Sequence, residues 1–143
     1  MYNALIIDDD PIQLRIAEML LKKCGSFNST SYQNAGHALD HLKTHLQNES
    51  ILPDVIFIDL HMPELNGWDF LNTYENLLPD ISKSINVFIV TSSIDLHDQK
   101  RSNDYPFLKG FITKPITPEG LNEIANHVNI SQLNKTSCSS VSH

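Results

Sequence analysis

The chain has 143 residues, of which 41% are hydrophobic and 19% charged, and its formal net charge is −7. This length suits one domain with its own core, and the composition argues against intrinsic disorder or a fibrous repeat. The 17 acidic residues outnumber the 10 basic ones, which disfavours nucleic-acid binding, because such affinity comes largely from neutralised phosphates.

The sequence also disfavours export and membrane insertion. No basic segment precedes the first apolar residues, and three acids follow at positions 8–10, so the start does not resemble a signal peptide. The longest apolar runs, 55–58 and 87–90, are far shorter than the roughly 20 residues of a membrane helix. Cys24 and Cys138 form no CxxC pair, which favours reduced thiols. We therefore expect a cytoplasmic protein without a membrane partner.

The first half of the chain alternates strand-like and helical patterns. An apolar run at 5–7 predicts a strand, and Asp10 followed by Pro11 predicts the capped start of a helix that ends near Cys24. The apolar residues at helical spacing in this first helix are Ile12, Ile16, Met19 and Leu20. A polar edge strand is predicted at 27–32, and a second helix at about 35–46.

The second half continues the alternation. Residues 54–59 form an apolar run between acids, typical of a central parallel strand covered on both faces. A turn-rich segment at 61–67 leads into a third helix, with Trp68 and Phe70 packing at its start, and a strand is predicted at 86–91.

The last third of the chain departs from the apolar patterns. The segment 95–104 is unusually polar, so we expect a short or mobile fourth helix. A final strand is predicted at 109–113, and Thr117 with Pro118 predicts the start of a fifth helix.

Five β/α units predict an α/β domain with a doubly wound five-stranded parallel sheet, right-handed crossovers and helices on both faces. We assign this domain to residues 1–128. The tail at 129–143 is rich in Ser and Asn, so we expect it to be mostly disordered and too short for an output domain.

Polar residues follow four of the predicted strands. They are Asp8 and Asp9 after the first, Asp59 after the third, Thr91 after the fourth and Lys114 after the fifth. Strand carboxyl ends share one sheet edge, so these side chains should converge. Neighbouring carboxylates repel one another unless a cation neutralises them, and oxygen ligands favour Mg²⁺. A lysine and a hydroxyl beside them would suit phosphoryl oxygens.

The chain resembles the response regulator receiver family, of the CheY-like superfamily, over roughly residues 3–128. The resemblance is carried by four segments in order, at 5–10, 58–67, 89–93 and 110–115. It implies a flavodoxin-like (βα)5 fold with strand order 2-1-3-4-5, and a stand-alone two-component response regulator.

The resemblance also implies a phosphoacceptor and its metal site. Asp59 would accept the phosphoryl group. Asp9 would bind Mg²⁺ directly, and Asp8 would hold it largely through water. Asp59 and the backbone carbonyl of His61 would complete the protein ligands.

Further implied roles belong to the fourth and fifth strands. Thr91 and Lys114 would contact the phosphoryl oxygens, and the Lys114–Pro115 bond would be cis. Thr91 would move toward the phosphoryl group, and Phe111 would rotate inward as the switch aromatic residue.

The partners implied by the resemblance are a sensor histidine kinase or histidine phosphotransfer protein as donor, and a downstream protein target. The protein itself would be a monomer or a weak, phosphorylation-dependent homodimer. It would catalyse its own phosphorylation and dephosphorylation, with no separate turnover.

Three alternatives remain. An aspartyl-phosphate phosphatase would also place an aspartate after a central strand, but it would carry a second aspartate where this chain has His61. A receiver-like module independent of phosphorylation would be expected to lack one of the site residues. Separately, His37, His41 and His45 recur every four residues and could bind zinc, although a solvated helix face is favoured.

Overall fold

The computed structural model of the chain describes residues 2–92 and 94–126. The strands are β1 (Tyr2–Ile7), β2 (Phe27–Tyr32), β3 (Val55–Asp59), β4 (Asn86–Thr91) and β5 (Leu108–Thr113). The helices are α1 (Pro11–Cys24), α2 (Ala35–Thr44), α3 (Gly67–Leu77), α4 (Leu96–Ser102) and α5, described over 118–126. A short 3-10 helix, Leu78–Asp80, follows α3.

The five strands form one parallel sheet in the order β2-β1-β3-β4-β5. This confirms the predicted doubly wound fold class and strand order. The tail predicted at 129–143 lies outside the described residues. Among the described residues, no helix combines the length and apolar character that crossing a bilayer requires.

The central strand β3 divides the hydrophobic core into two layers, and all five of its residues are buried. Ile56 and Ile58 pack with residues of α2 and α3 on one face of the sheet. Val55 and Phe57 pack with residues of α1 and α5 on the other. Because successive strand residues point to opposite faces, a continuous apolar run fills both layers.

Helix α1 begins and ends where the sequence predicts. The Asp10 side chain accepts a hydrogen bond from the backbone N–H of Ile12 at 2.9 Å, and Pro11 occupies the first turn. Gly25 ends the helix in the left-handed conformation with φ of 80°. These caps satisfy backbone groups that have no partner inside the helix.

The apolar residues used to predict α1 do not form its buried face. Ile12, Ile16 and Met19 are 68%, 38% and 63% exposed, and of the four only Leu20 packs against the core. The buried residues of α1 are Leu14, Ala17 and Leu21. Both rows recur at helical spacing, so periodicity alone could not show which row faces the sheet.

Helix α4 has seven residues and none of them is buried, which confirms the prediction of a short helix. The following loop attaches this region to α3 through aromatic contacts. Tyr105 is buried and stacks on Trp68 with ring centroids 5.6 Å apart, and its hydroxyl donates to Asn72 Oδ1 at 2.6 Å. The Arg101 guanidinium lies 4.7 Å from the centroid of the Trp68 ring. Trp68 and Phe70 are buried, as predicted.

Candidate functional site

The carboxyl ends of β1 and β3 bring three acids together. Asp8 and Asp9 follow β1, and Asp59 is the last residue of β3. Each offers a carboxylate oxygen, and these oxygens all lie within 4.8 Å of one another. Asp8 and Asp59 are buried, and Asp9 is more exposed. The convergence expected from the sequence is therefore present.

Lys114, just after β5, supplies the positive charge of this cluster. Its Nζ lies 2.8 Å from Asp8 Oδ2 and 3.6 Å from Asp59 Oδ1. The Lys114 backbone N–H donates to the carbonyl of Thr91 at 2.8 Å, which ties the start of the β5–α5 loop to the end of β4. The Lys114–Pro115 bond is cis, as predicted.

Burial and crowding shift the protonation of these groups. Burial raises the pKa of the Asp59 carboxyl, the nearby charge of Asp8 raises it further, and Lys114 opposes both effects. Burial alone would lower the pKa of the Lys114 ammonium, but its hydrogen bond to Asp8 and the charge of Asp59 outweigh burial and raise it. With one ammonium and three carboxylates, the ionised cluster carries a net negative charge.

The acid cluster fits an oxygen-preferring divalent cation. Mg²⁺ binds oxygens at about 2.0–2.1 Å in an octahedron, so its ligand oxygens lie about 3 Å apart in cis positions and about 4.2 Å apart in trans. The three carboxylate oxygens lie within 4.8 Å of one another, which is the range of such separations. Asp10 stands apart from the cluster, because its side chain caps α1.

Gly67, the first residue of α3, lies unusually close to the end of β3. A Cβ at this position would be 2.8 Å from the backbone oxygen of Asp59 and 2.8 Å from Leu60 Cα. Asn66 and Asp69 form a reciprocal capping box at the start of α3, with both hydrogen bonds at 3.0 Å. The sequence placed Gly67 in a turn but did not reveal this contact, which depends on how the loop returns to β3.

The remaining predicted site residues are Thr91 at the end of β4, His61 just after β3, and Phe111 within β5. Thr91 ends β4 and is fully buried. The His61 backbone N–H lies 3.4 Å from Asp59 Oδ1, and the side chain of His61 is exposed. Phe111 is half-buried in β5, pairs in register with Ile89 of β4, and borders an open cavity of about 310 Å³.

Comparison with known proteins gives one consistent family. A family model described as response regulator receiver domain matches residues 4–126. The chain is 32% identical to the two-component response regulator ORR22 of Oryza sativa subsp. indica, over 88% of this chain and 16% of that protein. It is 27% identical to the two-component response regulator ARR22 of Arabidopsis thaliana, over 88% of this chain and 82% of that protein.

Solved structures show the same fold. The crystal structure of a two-component response regulator from Cytophaga hutchinsonii aligns with a TM-score of 0.80 and 25% identity, over 90% of this chain and 96% of that one. The chain spans about half or less of the length of several other curated relatives, including response regulators from rice.

Proposed function

Because this chain belongs to the response regulator receiver domain family of two-component systems, we propose that Asp59 accepts a phosphoryl group and that the modified domain controls a protein partner. The observation that carries the proposal is the convergence of Asp59 with Asp8, Asp9 and Lys114 at one edge of the sheet. The donor is a phosphohistidine on a sensor histidine kinase or a histidine phosphotransfer protein.

In the proposed transfer, a carboxylate oxygen of Asp59 attacks the phosphorus atom. The bond between phosphorus and the donor imidazole nitrogen breaks, and that nitrogen keeps the electron pair and takes up a proton. Asp59 must be deprotonated to attack. Its burial works against deprotonation, and the nearby Lys114 ammonium works in favour of it.

Mg²⁺ is the cofactor that the acid cluster fits. In the proposal Asp9 would hold it directly, Asp8 largely through water, and Asp59 and the His61 carbonyl would complete the protein ligands. The chemistry that Mg²⁺ would supply there is neutralisation of charge on the phosphoryl oxygens.

Lys114 and Thr91 act on the phosphoryl oxygens in this proposal. Lys114 already lies 3.6 Å from the acceptor carboxylate, so its ammonium is positioned to balance the negative charge that the transfer brings. The Thr91 hydroxyl donates to a phosphoryl oxygen after a small movement from the end of β4.

The same movement is the proposed switch. In this proposal Phe111, which is half-buried in β5 and pairs in register with Ile89 two residues before Thr91, rotates inward when Thr91 moves. A partner that binds the modified state more tightly than the unmodified one reads the signal.

The proposed activity is limited to phosphorylation and dephosphorylation of the domain itself, in the cytoplasm, where a histidine kinase domain delivers the phosphoryl group. A phosphatase of the aspartyl-phosphate type is not favoured, because His61 stands where those enzymes carry a second aspartate. In this proposal the protein is a monomer, or a weak homodimer that forms when it is phosphorylated.

Intact mass spectrometry tests this function directly. The protein is incubated with phosphoramidate and Mg²⁺, and we expect a gain of about 80 Da. The gain should be absent without Mg²⁺ and in Asp59→Ala. It should persist in Asp10→Asn, which alters a neighbouring acid that caps a helix instead of joining the cluster. A chain that shows no adduct after rapid acid quench would contradict the proposal.

A further inference from the structure

His41 of α2 and His45, the residue that caps the carboxyl end of this helix, are in contact. The ring centroids of His41 and His45 lie 5.0 Å apart with an interplanar angle of 61°. Both side chains are half-buried, whereas His37, one turn earlier, is exposed. The i, i+4 spacing brings them together, because His45 directly follows the last residue of α2 and lies about one turn beyond His41.

The separation of these rings matches two imidazoles that share one metal ion. A transition metal binds an imidazole nitrogen at about 2.0–2.1 Å, and the ring centroid lies about 1.1 Å beyond that nitrogen. Each centroid would therefore be about 3.2 Å from the metal. For angles of about 90–109° at the metal, two centroids would be about 4.5–5.2 Å apart, and the observed 5.0 Å lies within this range.

The contacts of the two imidazoles are with other rings, since the centroid of the His41 ring also lies 5.7 Å from that of Tyr32. Within the described residues, neither ring has a hydrogen bond or an ion pair. Burial lowers the pKa of His41, and the proximity of His45 lowers it further, so the neutral form that binds metals is favoured. His41 also borders an open cavity of about 200 Å³, shared with Thr30 and Ser50, which leaves room for water ligands.

This location is separate from the acid cluster. The cavity beside His41 is lined by Asn3 and Ala4 of the amino-terminal half of β1, whereas the acid cluster follows the carboxyl end of the same strand. The ligand types differ as well. Imidazole nitrogen suits Zn²⁺, Ni²⁺ and Cu²⁺, whereas carboxylate oxygen suits Mg²⁺.

We propose that His41 and His45 form a second cation site, which binds a divalent transition metal through two imidazole nitrogens and completes its coordination with water. This site is independent of the phosphoacceptor and does not bind Mg²⁺.

Isothermal titration with Ni²⁺ tests the site, with excess Mg²⁺ present and in an Asp59→Asn background to suppress binding at the acid cluster. We expect one equivalent of Ni²⁺ to bind. His41→Ala and His45→Ala should each weaken binding by more than about tenfold, because losing even a group that supports a metal ligand usually costs about tenfold or more in affinity. His37→Ala is the matched control on the same helix and should bind as the parent does. His97→Ala tests the group of Asp95, His97 and Asp98 at the start of α4 and should also have no effect.

Electron paramagnetic resonance of bound Cu²⁺ gives a readout that a folding defect would not imitate. Two coupled imidazole nitrogens are expected in the parent protein and one in His45→Gln, with the helical content of both unchanged by circular dichroism. Unchanged Ni²⁺ affinity in both His41→Ala and His45→Ala would overturn the proposal. An equal loss in His37→Ala or His97→Ala would also overturn it.

Discussion

At the scale of single residues, Gly67 shows how a position without a side chain determines the geometry of the site. The backbone of α3 starts against the backbone of Asp59 and Leu60, and there is no room there for a Cβ atom. The neighbouring turn is also tightly shaped, since Glu64 adopts a left-handed conformation with φ of 65°. The position of Asp59 relative to α3 therefore depends on a residue without a Cβ atom at position 67.

Gly67→Ala should disturb both stability and phosphorylation. The added Cβ would lie 2.8 Å from two backbone atoms that cannot move aside easily, so we expect the free energy of unfolding to fall by about 1–3 kcal/mol. Formation of the phosphoramidate adduct should slow as well, because Asp59 is displaced. Urea denaturation and intact mass measure the two effects.

Gly110→Ala is the matched control for this prediction. A Cβ at Gly110 in β5 would make its nearest contact with Phe88 at 3.9 Å, which is ordinary van der Waals distance. We expect stability and phosphorylation close to those of the parent. Equal stability and equal adduct formation in Gly67→Ala and Gly110→Ala would contradict the close approach of α3 to β3.

At the scale of elements, α1 has apolar rows on two faces. One row packs on the sheet, and the other, formed by Ile12, Ile16 and Met19, is exposed to solvent. The exposed row begins at Ile12 in the first turn of α1, and the loop before this helix carries Asp8 and Asp9. Exposed apolar rows of this kind often mark protein contacts. A donor that brings a phosphohistidine to Asp59 would cover the amino-terminal end of α1.

The double variant Ile12→Gln, Met19→Gln should therefore separate two kinds of phosphorylation. Transfer from a phosphohistidine protein should slow by about tenfold or more, because apolar area that the donor would bury is lost. Phosphorylation by phosphoramidate should be unchanged, since the small donor needs no docking surface. Quenched-flow autoradiography and intact mass follow the two reactions.

Ile51→Gln is the control for the α1 variant. Ile51 is 40% exposed and lines the cavity at the amino end of the sheet, away from the acids. Its replacement should leave both reactions unchanged. Equal transfer rates in the α1 variant and this control would rule out a role of the exposed row in docking.

At the scale of the whole molecule, the fold assembles like charges that would be far apart in the unfolded chain. Burial, and then the nearby charge of Asp8, raise the pKa of Asp59, so its carboxylate is less stable in the folded protein than in the unfolded one. This destabilisation of the folded state is absent at acid pH, where Asp59 is protonated in both the folded and the unfolded protein. Stability is lost as the pH rises through the unfolded and then the folded pKa. Above the folded pKa of Asp59, the metal-free protein carries the full cost.

Mg²⁺ should relieve this repulsion and stabilise the protein. At ten times its Kd, a ligand that binds only the folded state adds about 1.4 kcal/mol, so Tm should rise by a few degrees and return when EDTA is added. Metal-free Asp59→Asn should melt above the metal-free parent, because one repelling charge is gone, and Mg²⁺ should raise its Tm less. Scanning calorimetry at pH 7 measures the Tm of the parent and of Asp59→Asn, each without metal and with Mg²⁺.

Asp54→Asn provides the contrasting case of a buried acid. Asp54 immediately precedes the amino end of β3. Its Oδ1 lies 3.0 Å from Lys83 Nζ, and its Oδ2 accepts a hydrogen bond from the backbone N–H of Asn3 at 2.7 Å. Because this charge is paired, its removal should lower Tm and leave the effect of Mg²⁺ intact. A metal-free Asp59→Asn that melted below the parent, as we expect of Asp54→Asn, would contradict the account of the acid cluster.

Much of this protein was predictable from sequence because the relevant signals are local. Continuous apolar runs marked the buried strands, and Asp10 and Thr117 marked helix starts that the structure confirms through their side-chain hydrogen bonds. Acids placed at the ends of parallel strands must share one sheet edge, so Asp8 and Asp59 could be brought together before any distance was known.

Tertiary structure alone decided how these elements face and touch one another. It selected the Leu14 row of α1 for the core and left the Ile12 row exposed. It also set Lys114 closer to Asp8 than to Asp59, and brought Gly67 against the end of β3. Sequence spacing states which residues share a face or an edge, but distances between atoms far apart in the chain depend on how complete elements pack together.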